Sequence, residues 1–402
     1  MSEHRILHPL PGSIPPRRAI PGILLLLSSI LGPARQGFAD EPRGIPVGIF
    51  RTKPKVTLSS TWEDNIYKSE NNPTHDFITG IEPEITLVTH WRKDRYQISW
   101  KGKHQDYLNH NREDRTDHTL AATAEWSPNR KTVLNVEYQF KDSHDERGAP
   151  GTGTVNPATP PNEWFENILS ASAQWTSGRF RTVLDLERGF KDSQNNGQSL
   201  QDRYWDAVDL TLMFALAPKT KLLVETGLKD ITYDTNPQNN SLESRILAGV
   251  TWSATAKTEG GFKIGAMHKE MDDENKPDGN GITLSSDVTW KPLSRSMVHL
   301  LAKRGFDEGE TGAEHFIATD FKLDASHDIR PKIKLKGDMG FNNSDYAGSK
   351  DEDLWTAGIG LDYKLPKWFF VSGRIGHSSK NSTEADADYD SDLLTIALTG
   401  SL

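Results

Sequence analysis

The densest group of possible metal ligands lies near the C-terminus, where carboxylates occupy every second position. Asp386, Asp388 and Asp390 alternate along the chain, and Asp392 continues the series. Alternate residues of a β-strand share one face, so these oxygens could together bind a hard divalent cation such as Ca²⁺. A solvated acidic loop is the alternative interpretation, and a run of like charges is typical of one. The sequence therefore offers these three aspartates as metal candidates but predicts no metal centre.

A second charged row consists of Lys332, Lys334 and Lys336. Three ammonium groups on one face of one strand repel each other unless acids on a neighbouring strand or a passing anion offset them. The row is therefore either a solvated basic ladder paired with acids or a rung that attracts anions.

Residues for covalent or metal catalysis do not form a recognisable set. The chain has no cysteine, which removes thiol chemistry and thiolate metal sites. The histidines show no metal-ligand spacing, and no serine lies in a Gly-x-Ser-x-Gly turn. We expect no enzymatic activity and no cofactor.

The elements that must position these residues are punctuated by eight short polar turns, each close to an aromatic residue. The turns lie at residues 91–94, 127–130, 176–179, 217–220, 255–258, 292–295, 327–330 and 365–368. Longer acidic stretches rich in Asn and Gly separate them. Short connections at one end and long ones at the other are typical of bacterial outer-membrane barrels.

Apolar and polar residues alternate between these turns with the period of a β-strand. In 131–141, for example, Leu134, Val136, Tyr138 and Phe140 oppose Lys131, Asn135, Glu137 and Gln139. One apolar and one polar face per strand fits lipid outside and water inside. The sequence predicts an all-β protein, a transmembrane antiparallel up-and-down β-barrel of about eighteen strands, with sixteen as the alternative.

The alternation assigns two sets of side chains. The charged residues expected to line a pore are Glu125, Lys131, Glu137, Arg181, Asp185, Lys221, Glu225, Asp287, Lys332, Lys334, Lys336 and Arg374. Aromatic residues just before or at the start of the short turns are expected to form a girdle at the membrane interface. They are Trp91, Trp126, Trp175, Phe214, Trp252, Trp290 and Tyr363.

The N-terminus carries the only continuous apolar run, residues 20–31, preceded by Arg17 and Arg18. This pattern predicts a secretory signal peptide at 1–39, followed by a periplasmic lead-in at 40–54 and the barrel at 55–402. The chain beyond residue 39 has 43 Lys and Arg against 55 Asp and Glu, which disfavours nucleic acid as a partner.

Residues 61–70 (TWEDNIYKSE) and 76–87 (DFITGIEPEITL), with the later segments 138–140 (YQF) and 146–148 (ERG), resemble the β-barrel porin type 2 family of outer-membrane proteins. Members of that family often accompany loci for exopolysaccharide synthesis and export. The resemblance therefore implies a Gram-negative outer-membrane channel or accessory for polysaccharide passage. It implies lipid and lipopolysaccharide as surroundings, with a polysaccharide chain and periplasmic export proteins as partners.

Two other functions stay open. A general or solute-specific porin would have the same mixed-charge lumen, and a structural or adhesive surface protein would have a plugged one. A loop folded inward from residues 142–161 or 192–202 would favour gating or plugging.

Overall fold

The computed structural model describes residues 44–402, except residues 92, 151–156, 254–256, 310–314 and 347–349, and gives only the backbone of residues 90 and 91. The predicted signal peptide therefore lies outside the described residues. In the described part, no helix is long and apolar enough to span a membrane.

The described chain consists almost entirely of antiparallel strands joined in sequence order. They are β1 (Ile45–Val47), β2 (Phe50–Glu63), β3 (Asp76–Trp91), β4 (Asp94–Tyr107), β5 (Arg115–Trp126), β6 (Thr132–His144), β7 (Glu163–Ser177), β8 (Phe180–Ser193), β9 (Arg203–Ala217), β10 (Thr220–Tyr233), β11 (Ser241–Trp252), β12 (Thr258–Met271), β13 (Gly279–Trp290), β14 (Ser296–Glu308), β15 (His315–Arg330), β16 (Ile333–Asp345), β17 (Asp351–Lys364), β18 (Phe369–Ser382) and β19 (Tyr389–Ser401).

Eighteen of these strands form a closed ring. Each of β2 to β18 pairs with the next strand, and β19 returns to pair with β2 through partners such as Leu398 and Leu58. Closure leaves no open edge, so every strand finds backbone partners on both sides, as a lipid environment requires. The prediction of an eighteen-stranded antiparallel barrel is confirmed.

The connections alternate between short turns at one end and longer loops at the other. Most of the short turns fall where the sequence predicts them, but the turn predicted at 327–330 is displaced. Strand β15 continues to Arg330, and the turn occupies residues 331–332. A register shift between Asp328 and Arg330 accounts for the difference, because a bulge inserts an extra residue that simple alternation does not anticipate.

The first strand also begins earlier than the predicted barrel boundary at residue 55. Strand β2 starts at Phe50 and runs through Pro54, and the short strand β1 pairs with its first residues. The register with β19 ends at Lys55, so Pro54 lies beyond the last ladder pair on that side. A proline is tolerated at such an edge because its missing N–H removes no ladder bond.

The two faces of the sheet differ as alternation predicts. Leu58, Ile359, Ile375 and Ile396 point outward and leave 49%, 56%, 59% and 60% of their surface exposed. Direct register partners share a face, so the outward rows are continuous bands of aliphatic and aromatic side chains. Such a surface is stable only against lipid.

One inward contact limits which residues the wall accepts. The ring of Trp205 on β9 lies over Gly189 on β8, its direct register partner. A Cβ built on Gly189 would lie 2.1 Å from this ring. The indole is also held by a hydrogen bond from its Nε1 to Glu187 Oε1 at 2.7 Å, so it cannot turn away without losing that bond.

We expect Gly189→Ala to destabilise the barrel by about 1–3 kcal/mol, because overpacking forces the indole or the backbone to shift. The measurement is the urea concentration at which half of the refolded protein is unfolded. Unfolding is monitored by the change in gel mobility that distinguishes the folded barrel from the heat-unfolded chain. Gly373→Ala is the matched control, since a Cβ there meets no atom within 4 Å. Equal midpoints for the two variants would contradict the close packing of Gly189 and Trp205.

Candidate lumen and its extracellular mouth

The inner wall contains most of the charged residues that alternation selected. Register pairs place ten of the predicted pore-lining residues on the face opposite the aliphatic bands: Glu125, Glu137, Arg181, Asp185, Lys221, Glu225, Asp287, Lys334, Lys336 and Arg374. Lys131 and Lys332 instead lie in short turns, at the rim of the barrel. That any of them contacts a passing solute stays a prediction.

The lysine row is offset by acids. Lys334 Nζ lies 3.5 Å from Asp328 Oδ1, and Lys336 Nζ lies 2.5 Å from Asp362 Oδ2 on the neighbouring strand. These contacts favour the interpretation as a paired ladder over that as an anion-attracting rung. The same pattern recurs beside it, where Arg374 Nη2 lies 2.6 Å from Asp338 Oδ2.

A buried charge cluster lies on the inner face of β9 to β12. Lys263 Nζ lies 2.6 Å from Glu225 Oε2, and Arg245 Nη2 lies 3.5 Å from Glu225 Oε1. Arg245 also binds Asp209, and Glu225, Lys263 and Asp209 are all buried. Of these four residues, sequence analysis selected only Glu225. Lys263 alternates with apolar neighbours on β12, and this pattern could have identified it as a second inward residue of the cluster.

The extracellular mouth is narrowed by the loop between β6 and β7. Arg147 of this loop donates to Glu113, in the β4–β5 loop, through Nε at 3.1 Å and Nη2 at 2.7 Å. The Glu113 side chain is almost fully buried. A bidentate bond to a buried carboxylate is among the stronger polar contacts in proteins, so it holds the loop firmly.

The same loop reaches β19, on the far side of β2 to β5. Gly148 has a φ of +70°, and its carbonyl oxygen accepts a hydrogen bond from the Tyr389 hydroxyl at 3.4 Å. A Cβ on Gly148 would lie 2.6 Å from the Tyr389 ring and 2.7 Å from Lys68 Cβ. Glycine is therefore required both for the left-handed backbone and for the close approach. An inward fold of part of the predicted 142–161 segment is thus present in the structure.

Electrostatics support the position of this loop. Burial tends to raise the pKa of Glu146, but hydrogen bonding from His144 and the charges of Arg115 and Lys103 outweigh it and lower the pKa to about 2. Glu146 is accordingly ionised at neutral pH, and its carboxylate lies 3.1 Å from Arg115 Nη2. Burial raises the pKa of Tyr67, whose ring lies 5.9 Å from the Arg147 guanidinium, and the charge of Glu113 adds to this effect.

The predicted interface aromatics lie near the short-turn end of the barrel. Trp126, Trp175 and Trp290 point outward, with about half of each side chain exposed. Phe214, Trp252 and Tyr363 lie on the same outer face, and Phe180 packs on Phe214 with ring centroids 5.2 Å apart. The side chain of Trp91 lies outside the described residues. That this belt marks the lipid headgroup level stays a prediction.

The structure does not bring the C-terminal aspartates together as ligands. Asp386 accepts a hydrogen bond from Asn71 Nδ2 at 3.2 Å, and Asp388 accepts one from the Ser382 amide at 2.6 Å. Asp390 lies 4.0 Å from His377. Among the described residues, no group of three or more His, Asp or Glu side chains could hold a metal ion. The acidic-loop interpretation fits this arrangement.

Histidines on the wall are partnered by acids. His299 Nε2 lies 2.9 Å from Asp287 Oδ1, and His144 Nδ1 lies 2.6 Å from Asp117 Oδ1. Ion-paired histidines are common in structural roles, so this geometry does not by itself indicate catalysis. The absence of enzymatic activity stays a prediction.

Comparisons with known proteins agree with the architecture. The family model described as "Putative beta-barrel porin 2" matches residues 39–401. No curated protein matches the sequence.

Solved outer-membrane proteins of Pseudomonas aeruginosa are similar to this chain, at low identity and with modest TM-scores. OpdO is 12% identical with a TM-score of 0.47, covering 89% of this chain and 98% of its own. OpdK, solved with vanillate, is 10% identical with a TM-score of 0.46, covering 87% of this chain and 99% of its own. A mutant of the ferric enterobactin receptor PfeA is 8% identical with a TM-score of 0.44, covering 87% of this chain and 80% of its own.

The eighteen-stranded ring, its polar inner face and the match over nearly the whole described chain lead to one conclusion: the protein belongs to the beta-barrel porin 2 family and is a solute channel of the Gram-negative outer membrane.

Proposed function

We propose that this barrel conducts small hydrated solutes through a charge-paired lumen whose extracellular mouth is narrowed by the β6–β7 loop. The observation that carries the proposal is the pairing of inward cations with carboxylates on nearby strands of the same wall. Examples are Lys55 with Glu84 at 3.0 Å and Lys141 with Glu166 at 2.9 Å.

Pairing along the wall has two consequences for a solute. Where a charge is paired, its neighbour largely compensates it, so a passing molecule meets a polar surface with little net field there. The paired groups still offer hydrogen bonds to a hydrated solute. Conduction requires many weak contacts of this kind, because a solute that binds tightly does not leave.

The β6–β7 loop adds a size limit at the entrance. Its contacts to Glu113 and Tyr389 fix it at two points on different parts of the rim. Because the anchors are a few polar contacts rather than a packed core, the loop can open without unfolding the barrel. This geometry supports a restricted entrance above an aqueous lumen.

Exopolysaccharide passage is the second candidate function, because family resemblance implies it and one part of the wall suits it. Strands β2 and β19 carry neutral hydroxyl pairs, Thr57 with Thr399 and Thr61 with Thr395, each with oxygens 2.9 Å apart. A row of hydroxyls can exchange hydrogen bonds with a sliding sugar chain. A polymer would also need the β6–β7 loop to move aside.

Single-channel conductance of the refolded barrel in a planar bilayer tests both candidates. We expect a small open conductance that neutral oligosaccharides on the external side leave unchanged, because the narrowed mouth excludes them. Oligosaccharide-dependent blockades would favour the polysaccharide path instead. A complete absence of conductance, with the barrel folded, would contradict both and favour a plugged surface protein.

A second prediction concerns the loop anchor. Arg147→Gln removes the charged partner of Glu113, and hydrogen bonds to charged groups contribute about 1.5–3 kcal/mol. We therefore expect the open-to-closed ratio of the channel to rise roughly tenfold or more, measured from dwell times in the bilayer.

Arg112→Gln is the matched control for this substitution. Arg112 lies beside Glu113 in the β4–β5 loop but is solvent-exposed, so the charge change is the same and the anchor is kept. Identical gating in the two variants would show that Arg147 does not hold the entrance.

A further inference from the structure

The inner face of strands β10 to β14 contains a recess of about 110 Å³. We name it the β10–β14 recess. Its inward lining residues come from all five strands and include Lys229, Glu243, Lys263, Ser285 and Lys303.

The recess lies beneath a bridge between strands that are not neighbours. The Tyr233 hydroxyl on β10 donates to Glu308 Oε2 on β14 at 2.6 Å, across the three intervening strands. Lys269 on β12 joins the bridge by binding Glu308, and its Nζ lies 3.0 Å from Glu243 Oε1. Tyr233 and Glu308 are the last residues of their strands, so this bridge lies nearer the long-loop end of the barrel than the recess does.

The carboxylates of the recess are already compensated. Glu225 contacts both Lys263 and Arg245, and Glu243 contacts the fully buried Lys269. Each of these two acids thus has a cationic partner within 4 Å, although Arg245 is shared with Asp209 and Lys269 is shared with Glu308. The buried side chains of Leu247 and Met267 form an apolar part of the lining.

Two lining lysines lack an acidic partner within ion-pair distance among the described residues. They are Lys229 on β10, whose Nζ lies 5.7 Å from the centroid of the Trp205 ring, and Lys303 on β14, which is exposed to the lumen. Ser285 of β13, the register partner of Lys303, contributes a hydroxyl group, whereas the Thr283 hydroxyl already donates to the Arg304 carbonyl oxygen at 2.8 Å. The recess thus combines three features: two ammonium groups without an ion-pair contact, a neutral hydroxyl group and an apolar patch.

We propose that the β10–β14 recess is a binding subsite for the carboxylate of a small organic acid passing through the lumen, with Lys229 and Lys303 as the groups that take the carboxylate. An unpaired ammonium attracts an anion, while hydroxyls and the apolar patch suit a short carbon chain. The recess has a volume of about 110 Å³, less than the roughly 150 Å³ of a cavity that holds benzene, so we expect it to accommodate only a few carbon atoms. This inference rests on the proposed function, since it names a solute class for the same lumen.

The test is ligand-observed NMR titration of the refolded barrel in detergent micelles, with propionate as the probe and propionamide as its neutral isostere. We expect saturable binding of propionate and no saturable binding of propionamide. Lys303→Gln and Lys229→Gln should each weaken propionate binding roughly tenfold, by the loss of one charged hydrogen bond.

Lys322→Gln is the matched charge control. Lys322 faces the lumen from β15, and its Nζ already lies 3.6 Å from Asp324 Oδ2. Its substitution should leave propionate binding unchanged. If Lys322→Gln and Lys303→Gln weaken propionate binding equally, the overall charge of the lumen attracts propionate and the proposed subsite is wrong.

Gly305→Val is the steric variant. A Cβ on Gly305 meets no atom within 4 Å, so we expect the variant to fold, with its side chain occupying the recess while every charge is kept. It should abolish saturable propionate binding. Retained binding in this variant, or equal binding of propionamide to the wild type, would overturn the proposal.

The binding titration separates this proposal from the proposed function. Propionate binding by a barrel that does not conduct would contradict the channel and keep the subsite. Conductance without propionate binding would contradict the subsite and keep the channel.

Discussion

The rest of the structure depends on the pairing of β19 with β2. In hydrocarbon an unpaired backbone N–H or C=O costs several kcal/mol, so a sheet is stable there only when its first and last strands meet. The register between these strands places Leu58 opposite Leu398 on the outer face, so the closing pair keeps the same inward and outward faces as its neighbours. A slip of one residue would bring the charged face to the lipid and the aliphatic face to water.

Closure creates a second constraint, since it gathers the charged residues of eighteen strands on one concave surface. Like charges at that density would repel, and the wall offsets this by placing cations beside acids on nearby strands, as at Lys263 with Glu225 and at Arg374 with Asp338. The compensation is incomplete at some inward residues, Lys229 and Lys303 among them. At these two lysines the wall is also recessed, and we propose a binding subsite there for this reason.

The extracellular end differs physically from the wall. There, aromatic and charged side chains from separate loops pack together, with Arg147 and Tyr67 next to the buried Glu113. The β6–β7 loop is held by polar contacts and by the backbone of Gly148, whereas the strands are held by continuous ladders. Loops held in this way open at lower free energy than the barrel unfolds, so we propose the mouth as the place where passage is controlled.

The sequence by itself determined the architecture and the two faces, because alternation with period two and the spacing of turns are local properties. It identified Glu225 and Arg374 as inward residues, and it gave 142–161 and 192–202 as the segments whose inward folding would favour gating or plugging. It did not determine which charges meet, since Arg245 with Asp209 and Tyr233 with Glu308 are brought together only by strand register and by the curvature of the closed sheet. The sequence placed the turn near residue 330 and the start of β2 incorrectly. A bulge, and the tolerance of a proline at a strand edge, both depend on how a strand pairs with its neighbours. Contacts between residues that are distant in sequence depend on the closed ring, and only the tertiary structure shows them.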